Sequence, residues 1–125
     1  MSDDSLSSEE LGDRPIDFAV RIGHVADALP DTRLGQHIAD QLVQSGTPPA
    51  PNYSEGCAAE SQRDFAHKLN ISSKELRETK TWLRLIRKAD LLPAGRLCAI
   101  TGETDQRCAI LSQSVHTAKE KVRGR

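Results

Sequence analysis

SQRDFAHKLNISSKELRETKTWLRLIRKADLL, residues 61–92, decides the fold. The stretch holds no glycine and no proline. Phe65, Leu69, Ser72, Leu76, Thr79, Leu83 and Ile86 recur at alternating spacings of four and three. That period is the seam of a helix packed against other helices. Ser61 stands where its hydroxyl can accept from a free backbone N–H of the first turn. Pro93 follows the stretch, and proline disfavours helix at the residue before it.

The remaining faces of this helix are unequal. With Leu69, Leu76 and Leu83 at heptad position a and Phe65, Ser72, Thr79 and Ile86 at d, Ile71, Leu85 and Leu92 fall at c and Trp82 and Ala89 at g. Positions c, g, d and a form one apolar arc of about 160° at 100° per residue, whereas a surface helix needs only about 100°. The opposite arc carries Arg63, Lys74, Arg77, Lys80, Arg84, Arg87 and Lys88. The four acids, Asp64, Glu75, Glu78 and Asp90, lie on the apolar side or its edge. The spacing predicts a wide buried face and an almost purely basic exposed one.

Outward from this stretch, every periodic segment is helical. A first helix begins near Asp13, with Pro15 suited to its first turn, and Phe18, Ile22, Val25 and Leu29 as its seam. Gly23 weakens it by about 1 kcal/mol relative to alanine, and Pro30 ends it. A second helix starts at Asp31 or Thr32, with Leu34, Ile38, Gln41, Leu42 and Ser45 inward. Thr47-Pro-Pro-Ala-Pro51 breaks or kinks it, exposed or at a subunit boundary, because prolines lack the N–H that a continuous helix requires. Tyr53 to Glu60 resumes it, with Tyr53 and Cys57 inward. The third helix is residues 61–92. A fourth runs from about Pro93 to Lys121 on Leu97, Thr101, Thr104, Cys108, Leu111, Val115, Ala118 and Val122, with Gly102 loosening or interrupting its first half. Nothing reads as a strand. Short links between amphipathic helices make an antiparallel up-and-down four-helix bundle over residues 13–122, after a disordered acidic tail at 1–12 and before a basic end at 123–125.

Charge is divided along the chain. Residues 1–13 hold five acids and no base, so the formal −1 of the 125-residue chain leaves +4 on the rest. Arg96, Arg107, Lys119, Lys121, Arg123 and Arg125 add positive charge in and after the fourth helix. A mildly basic domain is compatible with nucleic acid without demanding it. Cys57, Cys98 and Cys108 are odd in number and form no C-x-x-C pair. With no signal peptide or membrane span visible, the chain reads as cytoplasmic with reduced thiols.

Catalytic and metal chemistry find no purchase. A di-iron bundle requires Glu-x-x-His pairs; the nearest match is Asp64-x-x-His67, and His67 lies on the polar face. His24, His37 and His116 show no ligand spacing. There is no G-x-S-x-G, no glycine-rich phosphate loop and no cysteine with a recognisable partner. Cys57 and Cys108 read as small core residues. The expectation is a non-enzyme without cofactor, metal, membrane contact or small-molecule substrate.

Gln41-Leu-Val-Gln-Ser-Gly-Thr-Pro-Pro-Ala-Pro-Asn-Tyr-Ser-Glu-Gly56 is similar to a family signature in which QL-x-R-S leads to S-I-x-x-N and an acid before a small residue. Ser61-x-x-Asp64-Phe65, Lys68-Leu69, Lys74-Glu75, Glu78-Thr79 and Trp82-Leu83 match downstream, and Leu29-Pro30 and His116-Thr-Ala-Lys119 match the flanks. Over roughly residues 16–121 the chain resembles the four-helix bundle proteins encoded in intervening sequences of bacterial 23S rRNA genes. The resemblance implies a left-handed bundle assembling as a ring-like homopentamer. It also implies kinship with accessory proteins of diversity-generating retroelements, thought to bind nucleic acid and reverse transcriptase. The sequence departs from the signature at Gln44, where the family has arginine, and at Thr47–Pro51, in place of the Ser-Ile segment. Both departures remove features of the second helix from any nucleic-acid role.

Two function classes follow. In the first, an oligomeric accessory protein contacts RNA or DNA phosphates through Arg77, Lys80, Arg84, Arg87 and Lys88, without base-specific readout. In the second, an oligomeric scaffold or adaptor binds protein. In both, Ile71, Glu75, Glu78, Trp82, Leu85 and Ala89 are the candidate subunit interface. Contiguous apolar surface left in water marks an interaction site, Trp is enriched among hot spots, and a buried carboxylate needs a partner, which for Glu75 and Glu78 could lie on another subunit.

Overall fold

A computed structural model describes residues 13–124. The acidic tail assigned to residues 1–12 lies outside the described residues. Among the described residues five helical segments follow one another: α1 (Asp13–Ala28), α2 (Arg33–Gly46), α3 (Pro49–Cys57), α4 (Gln62–Lys88) and α5 (Ala94–Arg123). No strand occurs among the described residues. With α2 and α3 as the two pieces of the second helix, this is the all-α up-and-down four-helix bundle that the heptad patterns predict.

Local chemistry sets each boundary. Thr32, in extended conformation, accepts the Gly35 N–H at 3.0 Å and opens α2. Ser61 does the same for α4, accepting the Asp64 N–H at 3.1 Å. Each side-chain oxygen satisfies a donor that the helix itself leaves unpaired. The C-terminus of α4 closes earlier than the proline alone predicts. Asp90 takes φ 53°, and the N–H groups of Asp90 and Leu91 donate back to Arg87 and Ile86 at 3.2 and 3.0 Å. This is a Schellman closure, so residues 89–92 form the turn into α5 instead of a last helical turn.

The proline break is confined to the hydrogen-bond ladder. Thr47 and Pro48 keep near-helical angles, and Pro49 begins α3, where a first-turn N–H has no helical partner to lose. Both pieces therefore run along α4. Ser45 and Thr79 share a hydroxyl hydrogen bond at 2.8 Å, Asn52 donates to Glu75 at 3.0 Å, and Lys68 meets Glu55 at 2.6 Å. Of the two placements expected for this stretch, exposed or at a subunit boundary, the first is corrected: Pro49 is buried, Thr47, Pro48 and Ala50 are half-buried, and Pro51 alone is exposed.

The core lies along α4, which packs against α5 on one side and against α2 and α3 on the other. Phe18 and Ile22 of α1, Ile38 and Leu42 of α2, Tyr53 of α3, Leu69, Leu76, Leu83 and Ile86 of α4 and Leu111 of α5 are almost wholly enclosed. Three expectations are corrected. Leu34, placed inward, is 45% exposed. Gly102 does not interrupt α5, which is continuous over 30 residues. Arg107, expected to add positive charge to the fourth helix, is instead buried with its guanidinium 5.9 Å from the centre of the Tyr53 ring, a cation–π distance. Cys108 is half-buried against the core, and burial raises the pKa of its thiol. The side chain of Cys57 lies outside the described residues.

Glycines divide by what surrounds them. A Cβ at Gly46 lies 2.7 Å from Ile22 Cγ2, and one at Gly35 lies 2.3 Å from the Pro30 carbonyl oxygen. At Gly102 nothing lies within 4 Å. Gly46→Ala is expected to lower stability by about 1–3 kcal/mol through overpacking. Gly102→Ala is expected to raise it by about 1 kcal/mol through helix propensity. Urea unfolding of the two variants checks the opposite signs.

Candidate nucleic-acid and subunit interface

α4 contributes both candidate surfaces, and its neighbours decide what each can do. Ala66 and Ser73, at heptad position e, are buried beside the a and d residues, so the enclosed arc extends toward α5. On the other flank Ile71, Trp82 and Leu85 are half-buried and Ala89 is exposed. The apolar arc is wide because one helix packs against three others, and its own chain covers most of it.

The basic strip lies on the outer surface. Arg77, Arg84, Arg87 and Lys88 are exposed. Lys80 is half-buried and paired with Asp105 of α5 at 2.9 Å. A surface pair of this kind contributes about 0–1 kcal/mol, but it neutralises Lys80 locally. Arg87 and Lys88 also sit in the last turn of α4, where cations complement the helix dipole. The helix geometry thus aligns four exposed cations, each able to donate to a phosphate.

The apolar flank is a patch shared with α2. The rings of His37 and Trp82 meet edge-on at a centroid distance of 5.9 Å. Trp82 Nε1 donates to Glu78 one turn earlier at 3.2 Å. Leu34 precedes His37 by three residues and Leu85 follows Trp82 by three; on antiparallel helices both step in the same direction from the ring contact. The sequence reading missed Leu34 and His37 as members of this patch, since it assigned Leu34 to the core. Among the described residues the large apolar side chains most exposed to water, Ile16, Val20, Leu34 and Val43, lie on α1 and α2.

Both carboxylates beside the patch find partners within the chain: Glu75 accepts from Asn52, and Glu78 from Trp82. Burial raises the pKa of Glu75, the Asn52 hydrogen bond opposes the shift, and the Glu78 charge adds to it. A carboxyl with a raised folded-state pKa contributes most stability when protonated, below its unfolded pKa, and loses that contribution as pH rises through the folded value. Glu75→Gln keeps an acceptor for Asn52 and removes the charge. The variant is therefore expected to melt above wild type at neutral pH, with the difference vanishing in acid; thermal unfolding at pH 4 and pH 7 checks this.

Among the described residues no group of three or more His, Cys, Asp or Glu could hold a metal ion. No helix among them is long and apolar enough to cross a membrane.

The architecture and the signature around α2 and α3 meet in a family comparison. The family model described as 23S rRNA-intervening sequence protein matches residues 11–113. The chain belongs to this family. Its fold is similar to a solved structure, a protein of unknown function from the S23 ribosomal protein family of Bacteroides thetaiotaomicron VPI-5482, with TM-score 0.77 and 28% identity over 84% of this chain and 97% of that one. Neither is described as an enzyme. No curated protein matches the chain. The match to a family of the 23S rRNA-intervening sequence proteins covers α1 to α4 and two-thirds of α5.

Proposed function

We propose that this member of the 23S rRNA-intervening sequence protein family is a non-enzymatic, cytoplasmic homo-oligomer that contacts RNA or DNA phosphates through α4. The observation that carries the reading is the strip of four exposed cations of α4, Arg77, Arg84, Arg87 and Lys88; the acid that reaches this face from α5, Asp105, pairs with Lys80. Phosphate contacts supply affinity without sequence preference. The Leu34–His37–Trp82–Leu85 patch supports self-association, and the family resemblance favours five copies. A ring of copies presents the strip repeatedly, which multiplies affinity without new contacts.

The test is a binding titration with single- and double-stranded RNA and DNA in rising salt. Four phosphate contacts give a slope of log affinity on log salt near −3 to −4, hence a loss of about 10²-fold between 50 and 200 mM. An adaptor reading has its own support: Asp105 neutralises Lys80, and the aromatic patch fits a protein partner. Absence of nucleic-acid binding at 50 mM salt leaves that reading in place.

A further inference from the structure

The exposed stripe of α4 does not stop at Arg77. Toward the N-terminus, by alternating threes and fours, it passes through Lys74, Asn70, His67 and Arg63 without meeting an acid. At that end α5 lies across from it, and the two helices enclose a cleft of about 340 Å³. Ala66 and Val122 form its apolar lining, Arg63, His67 and Asn70 line it from α4, and Lys119 and Arg123 from α5. Arg123 also pairs with Glu120 at 3.1 Å, one turn earlier on the same helix. A second cleft, of about 590 Å³ between α1 and α5, sets Arg14 and Arg21 against Asp17 and Glu103, so its charges cancel. The α4–α5 cleft carries three cations and no lining acid.

We infer that the α4–α5 cleft takes one unpaired nucleotide of a strand whose phosphates follow the α4 stripe. Its volume lies at the small end of ligand pockets, about 300–1,000 Å³, the size of a single nucleotide. A base offers two faces and an edge. The Arg63 guanidinium and the His67 ring are planar groups on which bases stack. Ala66 and Val122 supply apolar contact. The Asn70 amide donates and accepts at once, the pattern that a base edge presents. Lys119 and Arg123 stand where a flanking phosphate needs neutralising. The inference rests on the phosphate-strip reading and adds a preference: single strands over duplexes, because a paired base cannot enter.

The test compares a mixed-sequence 12-nucleotide single-stranded RNA, the same length of RNA duplex, and adenosine 5′-monophosphate. Wild type is expected to bind the single strand more tightly than the duplex. Val122→Phe, which fills the cleft, and Arg63→Ala/Lys119→Ala, which strips its rim, are each expected to reduce the single-strand preference by about ten-fold. Helix content by circular dichroism verifies that the variants fold. In two-dimensional NMR, the monophosphate is expected to shift the Asn70 side-chain amide and the Val122 methyls. Such shifts without oligonucleotide binding would sustain the cleft and remove the strip. Loss of oligonucleotide binding in Arg77→Glu/Arg84→Glu together with an unchanged preference in Val122→Phe would sustain the strip and overturn the cleft, as would unmoved Asn70 and Val122 signals.

Discussion

Arg77→Glu/Arg84→Glu is expected to lower affinity for RNA by at least about 10²-fold at 50 mM salt, since it removes two of four phosphate contacts and adds two repulsive ones. The salt slope should fall by about 2, because each lost contact takes nearly one released counterion with it. Both side chains are exposed and lie outside the core, so helix content and melting temperature should change little. This separates a binding surface from a face whose charge only keeps the protein soluble. Lys80→Ala is the useful companion. Its ammonium is engaged by Asp105, so its loss should weaken binding far less than loss of Arg84. Binding unchanged in the double variant would remove α4 as the nucleic-acid surface.

Trp82→Ala has the second large expected effect. The indole contacts His37, donates to Glu78 and packs against the core while remaining half-exposed. In a subunit interface, such a residue is a hot spot whose truncation costs about 2 kcal/mol or more. That corresponds to a shift of roughly 30-fold in each association constant. The oligomer proposed here should therefore dissociate toward smaller species at micromolar concentration, with helix content nearly intact. Leu34→Ser, on the neighbouring part of the patch, should act in the same direction. Light scattering reads both. A wild-type monomer at micromolar concentration would contradict the assembly, and an unchanged mass in both variants would move the interface elsewhere, with Ile16 and Val20 of α1, both more exposed than Leu34, as the next candidates.

Much of the fold was legible because its signals are local. Heptad spacing, the Ser61 cap and the prolines at 48, 49 and 51 act over one or two helical turns, and each produced the expected element. The errors arose where a neighbouring helix sets the outcome. In α2 the buried series is Gly35, Ile38, Leu42 and Ser45. It begins on a glycine pressed against the Pro30 carbonyl, and glycine carries no apolar signal, so Leu34 was read as the first inward residue. In α5 the series Ile100, Thr104, Arg107, Leu111, Ser114 and Ala118 is buried at alternating fours and threes. Arg107 sits on that seam with its guanidinium over the Tyr53 ring, a placement that its charge alone does not disclose.

The candidate surfaces divide in the same way. The strip Arg77–Arg84–Arg87–Lys88 follows from the helical wheel, since exposure on a long amphipathic helix depends on its own sequence. Neutralisation of Lys80 depends on the register of α5, which brings Asp105 opposite. Glu75 and Glu78 were expected to need partners, and they have them in Asn52 and Trp82. The identity of Asn52 as a partner required the course of α3 after the proline break.

The most direct test of the central claim, that nucleic acid lies along α4, is photo-crosslinking of the intact protein to single-stranded RNA carrying 4-thiouridine, followed by peptide mapping. Adducts are predicted on peptides from residues 63–88, with a second set at 119–123, and they should disappear in Arg77→Glu/Arg84→Glu. Adducts confined to α1, α2 or α3, or none above the level given by an uncharged carrier protein, would contradict it.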